Sequence, residues 1–147
     1  MSTVDRYRTV EAPPLIAGER LNRAEFHRRY EASPEDLRAE LIDGEVYMAS
    51  PVSADHGEHA ALIIYALMVF ARSSPGLRAS ENATLILDDL SEPQPDGLLA
   101  IRPEYGGSVR LIDGYYTGAP ELVIEISKAT RNIDPTISAD FRRRRAG

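Results

Sequence analysis

An acidic residue stands inside the most apolar strand-like segment of the sequence. Glu125 interrupts the run from Leu122 to Ile126, and a second acid, Asp96, lies just ahead of the apolar segment Leu98 to Ile101. Burial of an isolated carboxylate costs several kcal/mol unless the group is protonated, paired or bound to a cation. Two acids at strand positions therefore predict a metal site and a fold that brings them together.

The composition predicts a single globular domain with an ordinary hydrophobic core. The chain has 147 residues, of which 43% are hydrophobic and 27% are charged, and a chain of this length buries roughly two thirds of its unfolded surface. The sequence contains no cysteine. This excludes a disulfide framework, thiolate zinc sites and cysteine nucleophiles.

Charge and hydropathy narrow the possible partners. The longest apolar stretch runs from Ala60 to Phe70, which is shorter than the roughly 18 residues that a membrane span needs, and the first residues contain no signal-peptide core. A cytoplasmic protein without membrane contact is expected.

The net charge of −6 argues against extensive sequence-independent binding of nucleic acid. It is compatible with a metal-dependent nuclease, because a bound cation reverses the local charge.

The first third of the chain predicts an arm, a helix and a hairpin. Residues 1–20 lack a periodic apolar face and are expected to form an N-terminal arm, with one domain over residues 21–147. Apolar positions at helical spacing predict a short helix from Leu21 to Tyr30. Ser33 followed by Pro34 resembles the start of a helix or of a single helical turn. Asp43 and Gly44 stand between two short apolar segments, the pattern of a β-hairpin.

The remainder predicts a long helix followed by strands. Ser53 or Asp55 is expected to cap a helix that continues through Phe70 and ends near Ser73. Because this helix is apolar almost all round from Ala60, it should be buried against a sheet. Strands are predicted at residues 77–80, 83–87, 97–101 and 121–127, with an irregular stretch at residues 102–118.

Strand alternation suggests how the acids meet. Side chains in a strand alternate with a period of two, which places Glu125 and Ser127 on one face. If Asp96 begins a neighbouring strand, its carboxylate converges with that of Glu125, and the Ile126 carbonyl group is a natural additional oxygen ligand. Oxygen-only ligation suits Mg²⁺ or Mn²⁺ better than zinc.

Four short segments follow one another along the chain: Glu40 to Glu45, Ser50-Pro51 with His56 shortly after, Pro95-Asp96, and Pro120 to Ser127. This ordered set is more specific than any one motif, and it resembles the family described as putative restriction endonuclease (Uma type), within the PD-(D/E)XK nuclease superfamily. The resemblance covers about Leu21 to Asp134.

The resemblance implies an α/β restriction-endonuclease-like core, with a mixed central β-sheet flanked by helices. It implies that Asp96 and Glu125 are Mg²⁺ ligands and that DNA is the substrate. Such a metal lowers the pKa of a bound water and stabilises charge on the phosphate during phosphodiester hydrolysis. The catalytic set is then Asp96, Glu125, Ser127 and Lys128.

The sequence departs from the superfamily pattern after Glu125. Ser127 occupies the position of the usual lysine, and Lys128 is the only lysine in the chain. Strand alternation would aim Lys128 away from Glu125, and arginines such as Arg142 to Arg145 cannot act as general bases because their pKa is too high. The sequence ends at Gly147, where similar proteins continue into a further strand. A C-terminally truncated or divergent member is therefore expected, and the sheet edge that a missing strand would leave exposed predicts a homodimer.

Simpler structural roles remain open for the same residues. Asp96 could be only a turn residue, and Glu125 could pair with an arginine. Glu40 and Glu45 are expected to be solvated, although one could approach the metal as a third acid. His56 falls near the expected cleft, and a helix-start histidine that only makes hydrogen bonds is the simpler expectation for it.

Two functional hypotheses follow. The first is a Mg²⁺-dependent or Mn²⁺-dependent DNA endonuclease built on Asp96 and Glu125. The second is a catalytically inactive relative that acts as a binding or dimerising module, motivated by the missing lysine and the acidic balance. A weaker third hypothesis is a metallohydrolase that uses His56, His59 and a carboxylate.

Overall fold

The structure is a computed structural model and describes residues 12–127. It is a mixed α/β fold, and the predicted fold class is confirmed. Over these residues the elements are α1 (Arg23–Glu31), β1 (Ala39–Ile42), β2 (Glu45–Met48), α2 (Ala54–Ser73), β3 (Leu77–Glu81), β4 (Leu85–Ile86), β5 (Gly97–Ile101), a 3₁₀ turn (Pro103–Tyr105), β6 (Arg110–Ile112), β7 (Tyr115–Thr117) and β8 (Leu122–Ile124).

Helix α1 and the first hairpin form one apolar core. The Asn22 side chain caps α1 by accepting a hydrogen bond from the Glu25 N–H. Phe26 of α1 is buried against Leu41 of β1 and Val46 of β2. Strands β1 and β2 are antiparallel, and the predicted hairpin is confirmed. Only single turns, not a helix, follow Ser33 and Pro34.

Part of the predicted N-terminal arm packs against this hairpin. Leu15 is buried in the same core as Phe26, and the Gly18 N–H donates a 2.8 Å hydrogen bond to the Val46 carbonyl group. The domain boundary near residue 20 stays a prediction. Residues 12–20 nevertheless contribute to the core, because a single buried leucine needs no periodic apolar face to be placed there.

Helix α2 has the predicted limits and packs on a sheet as predicted, but its outer face is exposed. The Ser53 side chain accepts a hydrogen bond from the His56 N–H and caps the helix. One face of α2 packs on β3 and β5, and Leu67 of that face is buried. Leu62 and Tyr65 on the opposite face are exposed. The predicted packing against a sheet is confirmed, and the outer face is exposed because protein covers only one side of the helix within residues 12–127.

Strands β3, β5 and β8 form the sheet that positions the predicted acids. Its order is β3-β5-β8 and both pairings are antiparallel. Gly97 at the start of β5 pairs with Ile124 at the end of β8. Asp96 precedes Gly97 and Glu125 follows Ile124, so the antiparallel register carries both acids to the same end of the sheet.

A third small sheet occupies the segment that was expected to be irregular. Strands β6 and β7 form an antiparallel hairpin, and β7 pairs in parallel with β4. Asp113 and Gly114 at the turn have φ values of 51° and 88°, the left-handed conformation that a tight hairpin turn requires. The prediction of an irregular stretch over residues 102–118 is wrong, because three-residue strands are too short to give a clear alternation. The strands in residues 12–127 thus form three small sheets rather than one continuous central sheet.

Candidate active site

Asp96, just before β5, is held by a hydrogen bond to the segment that follows β8 and contains Glu125. Its Oδ2 atom accepts a 2.6 Å hydrogen bond from the Ile126 backbone N–H. Pro95 before it and Gly97 after it are buried, so the backbone at this point has little freedom. This bond fixes the Asp96 carboxyl group beside the end of β8.

Glu125 follows β8 and lies close to two other acids. Desolvation is the largest cause that raises its pKa from 4.5 to about 8, and repulsion from Glu40 and then from Asp96 adds to it. The residue as a whole is exposed to solvent, so water screens part of the desolvation effect. The repulsion from two carboxyl groups shows that three acids share one region of the protein.

Glu40 is the third acid of this group. It lies in β1, is half-buried, and its Oε1 atom accepts a hydrogen bond from the Gln94 backbone N–H. Burial raises its pKa, the Gln94 bond opposes that rise, and the charge of Asp96 adds to it. Glu45 instead lies 3.7 Å from Arg20. Of the two hairpin acids, Glu40 is therefore the one that approaches Asp96 and Glu125.

A cleft of about 260 Å³ opens beside Asp96, between the start of α2 and the end of β3. His56 lines it, with its Nε2 atom 3.5 Å from Asp96 Oδ1. Apolar side chains such as Ala60 and Ile64 form much of its lining, together with the polar Asn82. His56 therefore faces the candidate site, at the position where the sequence places it near a cleft.

The two α2 histidines do not converge. The Nδ1–H of His59 donates a 2.7 Å hydrogen bond to the Asp55 carbonyl group of its own helix, and the residue is exposed. His56 turns instead toward Asp96. The arrangement gives no support to a metallohydrolase site built on His56 and His59.

The donors fit a hard divalent cation in their chemistry. Asp96, Glu125 and Glu40 offer carboxylate oxygens, the ligands preferred by Mg²⁺ and Mn²⁺, and their repulsion is relieved by positive charge. Within residues 12–127, however, no group of three or more His, Asp or Glu side chains is close enough to hold a metal ion. Binding by all three acids at once would therefore require their carboxyl groups to move together.

The remaining predicted site residues lie at or beyond the end of β8. The Ile126 N–H donates a hydrogen bond to Asp96. The Ile126 carbonyl group, which is the predicted metal ligand, takes no part in that bond. Ser127 is exposed, and β8 ends at Ile124, so strict alternation need not extend to it. Lys128 and the arginines Arg142 to Arg145 lie outside the described residues.

One buried charged pair was not predicted from the sequence. Glu92 is 2% exposed, and its Oε1 atom lies 2.7 Å from His27 Nδ1. Desolvation raises the Glu92 pKa and the hydrogen bond to His27 opposes that rise. The Arg23 guanidinium lies 4.0 Å from the second Glu92 oxygen. Glu92 stands in a polar loop of the sequence, where no apolar context marks it as buried.

Comparisons with known proteins agree with this fold. The chain resembles a crystal structure described as a putative nuclease belonging to DUF820 from Anabaena variabilis ATCC 29413, with a TM-score of 0.57 and 15% identity. The match covers 79% of this chain and 65% of the other, so the chain spans about two thirds of that protein's length. Among curated proteins, none matches the sequence significantly. The Uma2 family model, described as putative restriction endonuclease, matches residues 23–138. The chain belongs to the Uma2 family.

Proposed function

We propose that this protein is a divalent-metal-dependent DNA endonuclease that hydrolyses phosphodiester bonds with Mg²⁺ or Mn²⁺. The observation that carries the proposal is the 2.6 Å hydrogen bond from the Ile126 N–H to Asp96 Oδ2, which holds Asp96 next to Glu125. Membership of the Uma2 family supports a nuclease of this kind. Desolvation is the main cause that raises the pKa of Glu125, and the repulsion from Glu40 and Asp96 that adds to it is the part that a cation would relieve.

Each residue then has a defined task. Asp96 and Glu125 would hold the cation, with the Ile126 carbonyl group as a further oxygen ligand and Glu40 as a third acid. When bound, such a cation supplies Lewis acidity toward a water molecule and toward the phosphate. His56, 3.5 Å from Asp96, would orient the Asp96 carboxyl group from the cleft side.

The proposed catalytic set also includes Ser127 and Lys128. Ser127 stands where the superfamily pattern has a lysine, and its hydroxyl group can donate only a hydrogen bond to the phosphate. Lys128 is proposed as the cationic group that approaches the substrate. The matched substitutions Ser127→Ala and Lys128→Ala would separate these two contributions in a cleavage assay.

Plasmid nicking tests the proposal. Purified protein with Mg²⁺ or Mn²⁺ should convert supercoiled plasmid to the open circle, and EDTA should stop the reaction. Asp96→Asn and Glu125→Gln should each reduce the rate by at least about a hundredfold, since each removes a charged ligand. Glu104→Gln, at an exposed acid of the 3₁₀ turn, is the matched control and should cleave normally.

Cleavage that survives both Asp96→Asn and Glu125→Gln would contradict the proposal. The alternative is a catalytically inactive relative that acts as a binding or dimerising module. The observation that favours it is Ser127 in place of the lysine, together with the spacing of the acids, since no three of them within residues 12–127 are close enough to hold a metal ion. This alternative predicts DNA binding or dimerisation without any metal-dependent cleavage.

The cellular location, the oligomeric state and the partner of this protein are proposals. Over residues 12–127 no helix is long and apolar enough to cross a membrane. A cytoplasmic location and a homodimer stay predictions. DNA is proposed as the partner because phosphodiester hydrolysis is the chemistry that fits the acids.

A further inference from the structure

Helix α2 presents two opposite faces with different chemistry. At 100° per residue, His56, Ala60, Ile64 and Leu67 lie on the inner face, toward the cleft and the sheet. A second set lies within about 40° of the opposite direction and is spaced four, three, four and three residues apart. This set is the outer stripe: Glu58, Leu62, Tyr65, Val69 and Arg72.

The middle of the outer stripe is apolar and exposed. Leu62 is 67% exposed, Tyr65 is 69% exposed and Val69 is 49% exposed. Single exposed apolar residues are ordinary, but three in a row on one helix face form a continuous seam. The alternating four-and-three spacing is the repeat with which two helices pack along a shared seam. The stripe is therefore suited to another helix.

The charges at the two ends of the outer stripe indicate which helix fits against it. Glu58 begins the stripe and Arg72 ends it, about 21 Å apart along the helix axis. If a second α2 packs antiparallel about a two-fold axis at Tyr65, Glu58 lies opposite the partner's Arg72. Leu62 then lies within about one residue, along the helix axis, of the partner's Val69. A parallel arrangement would instead place Glu58 against its own copy, which repulsion disfavours.

We propose that the outer stripe of α2 is the interface of a homodimer, in which a second copy of this chain packs antiparallel about Tyr65. The stripe is self-complementary in charge and in apolar contact, as an interface between identical subunits requires. The cleft beside Asp96 is lined from the other side of α2, by residues such as His56 and Ile64. Both clefts would therefore stay open in the dimer. This inference does not depend on nuclease activity.

Sedimentation velocity of the full chain tests the interface. Over about a hundredfold range of concentration, the wild type should shift from monomer to dimer by mass action. Leu62→Asp should weaken dimerisation at least tenfold, since it places an acid in the seam. Leu111→Asp is the matched control, because Leu111 is 55% exposed in β6 and lies off the stripe. It should dimerise as the wild type does.

Charge reversal provides the decisive comparison. Glu58→Arg alone and Arg72→Glu alone should each weaken the dimer, because each creates two like-charged contacts. The double variant Glu58→Arg with Arg72→Glu restores opposite charges and should recover wild-type dimerisation. A monomer at every concentration would overturn the proposal. A dimer that Leu62→Asp leaves intact would also overturn it and would point to another surface, such as the β8 edge. A double variant that fails to recover wild-type dimerisation would overturn it as well.

Discussion

Cation binding at Asp96 and Glu125 should depend steeply on pH. In the cation-free protein the pKa of Glu125 is raised to about 8, so below that pH the carboxyl group carries a proton. A divalent cation binds the ionised form and must displace this proton. Between pH 6 and pH 8 the ionised fraction of such a group rises roughly 10- to 50-fold, and the apparent affinity for Mn²⁺ should rise by the same factor.

Isothermal titration calorimetry measures both parts of this expectation. Titrations of Mn²⁺ at pH 6, 7 and 8 should show the rising affinity. Repeating the pH 7 titration in two buffers with different ionisation enthalpies should show release of about one proton per ion. Glu125→Gln should bind weakly with a flatter pH dependence. His56→Gln should keep the slope, since His56 faces the site but the slope is assigned to Glu125.

Binding without proton release would refute this reasoning. So would an affinity that is equal at pH 6 and pH 8, because the displaced proton follows from the raised pKa of Glu125, which desolvation and then the neighbouring acids cause. An affinity that stays unchanged in Glu125→Gln would remove this residue from the site. The Glu104→Gln variant controls for a general effect of net charge and should match the wild type at each pH.

Three further predictions concern stability. In EDTA, the ionisation of Glu125 in the unfolded chain makes the wild type less stable as pH rises from about 4.5 to 8. Glu125→Gln should therefore raise the Tm at pH 8.5 but not at pH 4, and an equal change at both would contradict the linkage. His27→Ala leaves Glu92 buried without its hydrogen-bonding partner and should lower the free energy of unfolding in urea by about 1 to 3 kcal/mol. The loss should be larger at pH 8 than at pH 5, because the raised pKa of Glu92 leaves more of the buried group ionised at the higher pH. Phe26→Ala should cost about 3 to 5 kcal/mol by the same measurement, since Phe26 is 1% exposed; a loss below 1 kcal/mol would show that this core is not tightly packed.

Local signals in the sequence predicted the elements that local chemistry determines. The Asp43-Gly44 turn adopts positive φ values of 49° and 80°, and Ser53 caps α2 as its position suggests. Both depend on a few neighbouring residues. The pairing of β5 with β8 is a long-range contact. The sequence predicts it only indirectly, because a shared metal site would explain why the acids Asp96 and Glu125 lie in apolar segments.

The features that the sequence did not predict also have a physical origin. A helical pattern shows which residues are apolar, but it does not show how many layers of protein cover them, and Leu62 and Tyr65 of α2 are exposed for that reason. Burial of Glu92 depends on His27, a residue 65 positions away in sequence. No local pattern encodes such a pair. The approach of Glu40 to Glu125 likewise depends on how the first hairpin docks beside the sheet.

A crystal structure of the protein soaked in Mn²⁺ tests the central claim most directly, because Mn²⁺ scatters anomalously and is a close substitute for Mg²⁺. The account predicts an anomalous peak at 2.0 to 2.3 Å, roughly, from carboxylate oxygens of both Asp96 and Glu125. A Mn²⁺ ion bound elsewhere, with these two carboxyl groups pointing away from each other at saturating Mn²⁺, would contradict it.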